Sequence, residues 1–448
     1  MPWRRPSLGI PAAQLLMWTL PALPDTDVVT RAAVVEGYNT NTYQAQDDPN
    51  VPVIRRHPSP FTGVDAGLEL RFLSRDTDRT VLNVGGRLNH YEPLQREYQS
   101  DDGAFNGELA SHVTLGPRTT LNLSDSGAVT SFNGAHVTDG TIFAFDPTQI
   151  RSTYWLNDTS LAFAHQLSQN WRLTQSLGAT LSGTLQSAPT TLPSGQITEH
   201  RGLDYVMPYV ETDLNHDFTT RSSGDVTLLY QYALQLYVLD LAQSPPRNIG
   251  PDKTAYMTLL AGWTYHLTQE VSTVLHGGAV LASAPPRDPD QRAVLAPAAI
   301  GELYWTRPFF DLVATGAYAW GTVNPRLGAG PSANGNLLAI GVPRHVGRWK
   351  DLALVARAQV SYSSLVTGVG QATQLGLYAA GGEVRYGVSR WLGLLAGYDF
   401  RYATIDAPGR YSPPFLQHVF FIGLSGYFST DRAALPLTTF TAPVQPPA

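Results

Sequence analysis

Taken two residues at a time, most of the chain separates into an apolar set and a polar set. From Phe61 to Phe72, one set is Thr62, Val64, Ala66, Leu68, Leu70 and Phe72. The other is Phe61, Gly63, Asp65, Gly67, Glu69 and Arg71. The same split recurs from Trp171 to Gln186, with Trp171, Leu173, Leu177, Ala179, Leu181 and Leu185 against Arg172, Thr174, Ser176, Thr180, Ser182, Thr184 and Gln186. A period of two with one oily face predicts a strand, because successive Cβ atoms point to opposite sides of a sheet. About eighteen such segments follow one another from Val28 to the closing stretch Leu416–Phe428. Short polar turns at Ser74–Arg79, Gly116–Arg118, Ser168–Asn170 and Thr268–Glu270 alternate with long connections such as Asn133–Ile150 and Ser187–Gly202.

That pattern predicts an all-β fold: a transmembrane antiparallel up-and-down β-barrel of about 18 strands, with short periplasmic turns, long outer loops and both ends in the periplasm. A soluble sandwich or propeller does not require alternating loop lengths. It would also have too much apolar surface to hide. Aromatics near strand ends, among them Trp155, Trp171, Trp263, Trp305, Trp320, Tyr402 and Phe428, match the girdles of the two bilayer interfaces. The expected organisation is a signal peptide or disordered N-terminus over 1–24, one barrel over 28–429 and a disordered, Pro-rich periplasmic tail over 430–448.

Composition narrows the function. Zero Cys removes disulfides, zinc–thiolate sites and Cys nucleophiles. Only 15% of the 448 residues are charged, and mean hydropathy is −0.13. No apolar run after the N-terminus is long enough for a membrane helix. A net charge of −6 argues against a nucleic-acid partner.

The closing stretch resembles the C-terminal strand of bacterial outer-membrane barrels. The resemblance rests on Leu416, His418, Phe420, Ile422, Leu424, Gly426 and Phe428, and it implies that Phe420, Ile422, Leu424 and Phe428 are a membrane insertion signal read by the barrel assembly machinery. At Gly37-Tyr38-Asn39-Thr40-Asn41 the first strand resembles the opening of outer-membrane barrels encoded with exopolysaccharide synthesis and export, with Asn and Thr at positions those barrels make acidic. This second resemblance implies a channel for secreted polysaccharide, with a periplasmic polysaccharide-export protein as partner.

An eighteen-strand barrel is wide enough to hold an aqueous channel. The alternation assigns to its lumen the pore-lining residues Asp65, Glu69, Arg71, Arg87, Glu108, Arg172, Tyr209, Glu211, Arg357, Glu383, Arg385, Asp399 and Arg401. Asp213, Asp225, Asp311 and Asp351 share that face. Glu383 and Arg385 are placed to pair with Asp399 and Arg401 on the next strand, as a stiffening ladder that also sets the pore potential. Tyr205, Tyr209, Tyr237, Tyr256 and Trp391 point inward, either to fill space or to guide a sugar by stacking.

Enzyme chemistry finds no support. His112 and His276 face inward with no serine or acid placed beside them. There is no metal-ligand spacing, glycine-rich phosphate loop or nucleophile elbow. No cofactor is expected. No plug domain precedes the first strand, against a siderophore-type transporter. The expected site is a bacterial outer membrane, and the expected partners are the lipid bilayer and a polysaccharide or other small polar solutes. A diffusion porin for small solutes and a plugged structural surface barrel are the competing readings. The long loops carry few of the acids that a porin's inward-folded loop uses.

Overall fold

The computed structural model describes residues 26–40, 58–73, 78–91, 101–130, 153–186, 202–236, 252–282, 294–309, 312–321, 332–341, 352–366, 372–389, 391–406 and 415–429, with four two-residue pieces at 190–191, 197–198, 239–240 and 247–248. Eighteen strands make the barrel. The first six are β1 (Thr26–Asn39), β2 (Ser59–Leu73), β3 (Arg79–Tyr91), β4 (Asp101–Gly116), β5 (Thr119–Thr130) and β6 (Thr153–Gln166). Then come β7 (Trp171–Gln186), β8 (Gly202–Thr219), β9 (Ser222–Gln235), β10 (Asp252–His266), β11 (Val271–Ala282) and β12 (Val294–Phe309). The last are β13 (Leu312–Gly321), β14 (Ser332–Gly341), β15 (Leu352–Val366), β16 (Ala372–Gly387), β17 (Leu392–Asp406) and β18 (Phe415–Ser429). The proposed signal peptide, the tail and the long loops lie outside the described residues, as do the side chains of β13 and β14.

Each strand pairs antiparallel with its neighbour in sequence, and β1 also pairs with β18 over Val29–Asn39 against Ser429–Val419. The sheet therefore closes on itself and has no free edge. At a strand spacing of about 4.8 Å and a tilt of about 40°, eighteen strands give a backbone radius on the order of 18 Å. Two small ladders, Thr190–Thr191 with Ile197–Thr198 and Leu239–Asp240 with Arg247–Asn248, stand at the long-loop end. The alternation of loop lengths fails once. Residues 342–351 separate β14 from β15 on the short-turn end, whereas only 367–371 separate β15 from β16 on the other.

One face of nearly every strand with described side chains carries large apolar groups in the open, for example Val64, Leu88, Leu177, Val210, Leu259, Leu275, Leu295, Leu394 and Ile422. Ile422 is 65% exposed and Leu295 71%. The registers set these residues side by side on the outer face of neighbouring strands. A surface of this kind is unstable in water and stable against lipid. No helix is long and apolar enough to cross a membrane; the strands, of 10 to 18 residues, exceed the length of about 9–11 that a tilted strand needs to cross a bilayer core. The chain is a β-barrel of the outer-membrane type.

Aromatic belts mark both rims. At the short-turn end, Trp171 packs on His216 (4.3 Å between ring centres), and His216 meets Phe218 edge-on (4.8 Å). Trp263 donates its indole N–H to Ser222 Oγ (2.8 Å). Trp391 stacks on Phe428 at 5.4 Å. The last contact corrects the assignment of Trp391 to the lumen. Trp391 precedes the first residue of β17, in a turn closed by Ser389, so strict alternation no longer governs it. At the long-loop end, Tyr398 meets both His418 (2.7 Å to Nδ1) and Phe420 (4.9 Å).

Candidate functional site: the inner wall

The inner wall divides into two sectors that face each other. In an eighteen-strand ring each strand lies opposite the ninth one on, so β16–β18 and β1–β3 stand across the lumen from β7–β12.

The first sector is built in three levels. Gly37 on β1 and Gly397 on β17 form a floor, and a Cβ at either position would collide with the Phe61 ring or the Phe421 ring lying flat on it. Those rings pack with Ala33, Val35, Tyr91 and Leu395 into a buried apolar cluster on the inner face. Arg87 covers it, its guanidinium carbon 5.6 Å from each ring centre. A cation over two aromatic faces is held electrostatically as well as by packing. Above, Gln417 Nε2 donates to Asn39 Oδ1 (3.1 Å) and Asn39 Nδ2 to the Tyr91 hydroxyl (3.4 Å), tying β18, β1 and β3 together across the closing seam.

Charge in this sector is paired along strands. Arg71 Nε donates to Glu69 Oε1 (2.5 Å), Arg385 Nε to Glu383, and Arg87 Nε to Asn89 Oδ1 (2.8 Å). Cross-strand pairing of Glu383 and Arg385 with Asp399 and Arg401 was the expectation. The register instead sets Glu383 opposite Gly397, Arg385 opposite Leu395, Asp399 opposite Gly381 and Arg401 opposite Ala379. With small or apolar residues directly across, the same-face neighbour two residues along is the partner in reach. Asp65, 6% exposed, sits opposite Arg87 on β3. Arg357 lies opposite Gly381 in the ladder, and its side chain lies outside the described residues, as do those of Asp311, Asp351 and Tyr237.

The second sector uses its glycines differently. Gly262 on β10 lies between Asp225 of β9 and His276 of β11, and because it has no Cβ the two side chains meet above it, Nε2 to Oδ2 at 3.0 Å. This supplies the acid partner that the sequence reading did not place beside His276. The nearby hydroxyl of Thr227 donates to Asp225 (3.3 Å), not to the imidazole, so the group is no activated nucleophile. Tyr304 donates to Glu302 Oε2 (2.5 Å). Glu211 and Asp213 of β8 point to the same space, and Asp213 Oδ1 is covered without a donor. The end of the Tyr209 ring rests over Gly178, in the space a Cβ there would take. Thr180 donates to Asp158 (2.6 Å). Glu108 lies further round on β4, opposite Asn83 and Ser126. Leu260, Val280 and Ala298 form a second inner apolar cluster with Tyr256 packed on it.

From β4 to β12, seven inward carboxylates with described side chains, Glu108, Asp158, Glu211, Asp213, Asp217, Asp225 and Glu302, face one guanidinium, Arg172. Across the lumen, six guanidiniums, Arg31, Arg71, Arg79, Arg87, Arg385 and Arg401, stand among five carboxylates, Asp27, Asp65, Glu69, Glu383 and Asp399, so the signs nearly balance. Arg31 and the Glu302–Tyr304 pair were missed from the sequence, although both lie on the inward set by simple counting. No group of three or more His, Asp or Glu poised for a metal occurs among the described residues. On the outer face of β18, Phe420, Ile422 and Leu424 are exposed to lipid and Phe428 is stacked on Trp391.

No family profile matches the chain, and no curated protein matches it in sequence. Similar solved structures include the outer membrane protein OpdK of Pseudomonas aeruginosa (9% identity, TM-score 0.34, covering 90% of this chain and 99% of that one). Others are the siderophore receptor PiuA of Acinetobacter baumannii (11%, 0.44, 90% and 82%) and OccAB3 of the same species (8%, 0.39, 91% and 100%). Likeness at this level says nothing of the chemistry of the inner wall.

Proposed function

We propose that the chain is a diffusion channel of the bacterial outer membrane for small polar solutes, with a preference for cationic ones. The observation that carries this reading is the surplus of carboxylates on the inner face of β4–β12 against a nearly balanced wall around β1–β3 and β16–β18. Fixed wall charge sets the potential in a wide aqueous lumen and enriches counter-ions there. An eighteen-strand barrel has the width for such a lumen. Export of polysaccharide draws its support from the first strand's resemblance alone. The inner phenyl rings Phe61 and Phe421 lie beneath Arg87, which leaves them no free face for a sugar.

The test is the purified barrel in a planar bilayer with a potassium chloride gradient across it. Stepwise conductance with a reversal potential on the cation side is the expected result. A sealed barrel supports the plugged reading instead, and anion preference removes the role given to the acidic wall. A deletion strain that loses its surface polysaccharide while small-solute uptake stays normal returns the argument to export.

A further inference from the structure

At mid-height the lipid-facing surface carries a carboxylate on one wall. Among the described strand side chains, outward carboxylates occur at two places. Glu36 lies close to the long-loop rim on β1, where Thr62 Oγ1 donates to it (2.9 Å). Asp125 lies at the centre of β5, opposite Leu109 of β4 and Thr159 of β6 on the outer face. Asn157 Nδ2 donates to Asp125 Oδ1 (2.9 Å) and to the Ser126 carbonyl (3.3 Å). Thr159 Oγ1 lies 2.5 Å from the same Oδ1. These bonds converge on one oxygen; Oδ2 takes part in none of them and is not covered by the chain. Gln175, exposed on the outer face of β7, extends the polar patch.

Hydrocarbon offers no water to such groups, and a half-satisfied carboxylate there is costly. We propose that a second copy of this chain covers the β5–β7 wall, related by a two-fold axis that runs along the membrane normal beside β6. That symmetry sets β5 of each copy against β7 of the other. Asp125 then faces the strand that carries Gln175, whose amide donates to the open oxygen, and the contact is made twice. β6, at the axis, presents Leu161 and Phe163, which supply an apolar centre. Gly127 and Ala179 flank the patch and permit close approach; a Cβ at Gly127 would meet nothing nearer than 3.6 Å. An acceptor on one flank, a donor on the other and oil between them make the face complementary to itself.

The chain has no cysteine, so single cysteines report without background. The full barrel carrying Leu161→Cys, reconstituted in phospholipid vesicles, is treated with a short bifunctional maleimide. Val360→Cys on β15, on the opposite wall, is the control. The expected result is a covalent two-chain product for Leu161→Cys only, and a mass of two chains for the native protein in mild detergent. Adding Asp125→Leu should abolish the product while heat-modifiable migration shows that the barrel still folds. If that variant does not fold, Gln175→Leu in its place should abolish the product as well. Equal cross-linking at Leu161 and Val360, a mass of one or three chains, a product with a different protein in native membranes, or a cross-link that survives both substitutions overturns the proposal.

Discussion

The two walls of the lumen use the same device to opposite ends. Around β1–β3 and β16–β18, glycines at 37 and 397 make room for phenyl rings, and the rings bring Arg87 to rest over them. Around β9–β11, Gly262 makes room for Asp225 and His276 to meet across an intervening strand. A missing Cβ in the first case buries apolar surface inside a membrane protein. In the second it lets polar groups crowd. The first wall is closely packed and close to electrical balance, whereas the second keeps more negative charge than its own cations offset. A barrel wall can therefore be mechanical on one side and electrostatic on the other, and the experiments that follow separate the two.

The largest effect should come from filling the floor of the closely packed wall. Gly37→Val or Gly397→Val forces the Phe61 or Phe421 ring off the sheet and disturbs the packing with Val35, Tyr91 and Leu395. Overpacking of this kind costs about 1–3 kcal/mol, and more where a ring has nowhere to move. Each variant should unfold at lower urea than the native barrel in detergent. Gly277→Val is the comparison, because a Cβ there meets nothing within 4 Å. If Gly277→Val is as damaging as Gly37→Val, the floor has no special role.

How much of this contrast could be read from the chain follows from where its causes lie. The faces were legible, since Leu177 and Arg172, or Leu394 and Asp399, separate by counting within one strand. So was the strand number, because turn residues punctuate the segments. The floors were not. Phe61 needs Gly37 on the neighbouring strand, and Phe421 needs Gly397, and a single sequence gives no register between strands. For the same reason the contact of Glu383 with Arg385 along β16 was not legible, since it is the register that sets Gly397 and Leu395 directly opposite them. The Asp225–His276 pair joins strands that are not even adjacent.

The next effect concerns the electrostatic wall. Asp213→Asn, Asp225→Asn and Glu302→Gln together remove three of the seven inward carboxylates described from β4 to β12. The cation preference measured from reversal potentials should fall several-fold, with conductance at high salt little changed because screening hides wall charge there. Unchanged selectivity in dilute salt would falsify the acidic-wall account. His276, deprived of Asp225, is a further readout: its imidazole should become accessible to modification, which the paired ring resists.

The smallest effect is the most discriminating. Glu383 and Arg385 are joined along β16 and sit on the nearly balanced wall. Replacing both, by Glu383→Gln and Arg385→Met, removes a pair whose net charge is zero, so the lumen potential and the cation preference should stay within error of the native barrel. Each single replacement changes the charge of the wall by one unit. Glu383→Gln alone should move selectivity toward anions and Arg385→Met alone toward cations, and the two shifts should cancel in the double variant. Each single change should also destabilise the barrel more than the double change does, because Glu383, 6% exposed, loses one of its opposite charges on removal of Arg385. A double variant that shifts selectivity as far as either single one would mean that the two charges act on the lumen separately, and the nearly balanced wall would then be as electrostatic as the one it faces.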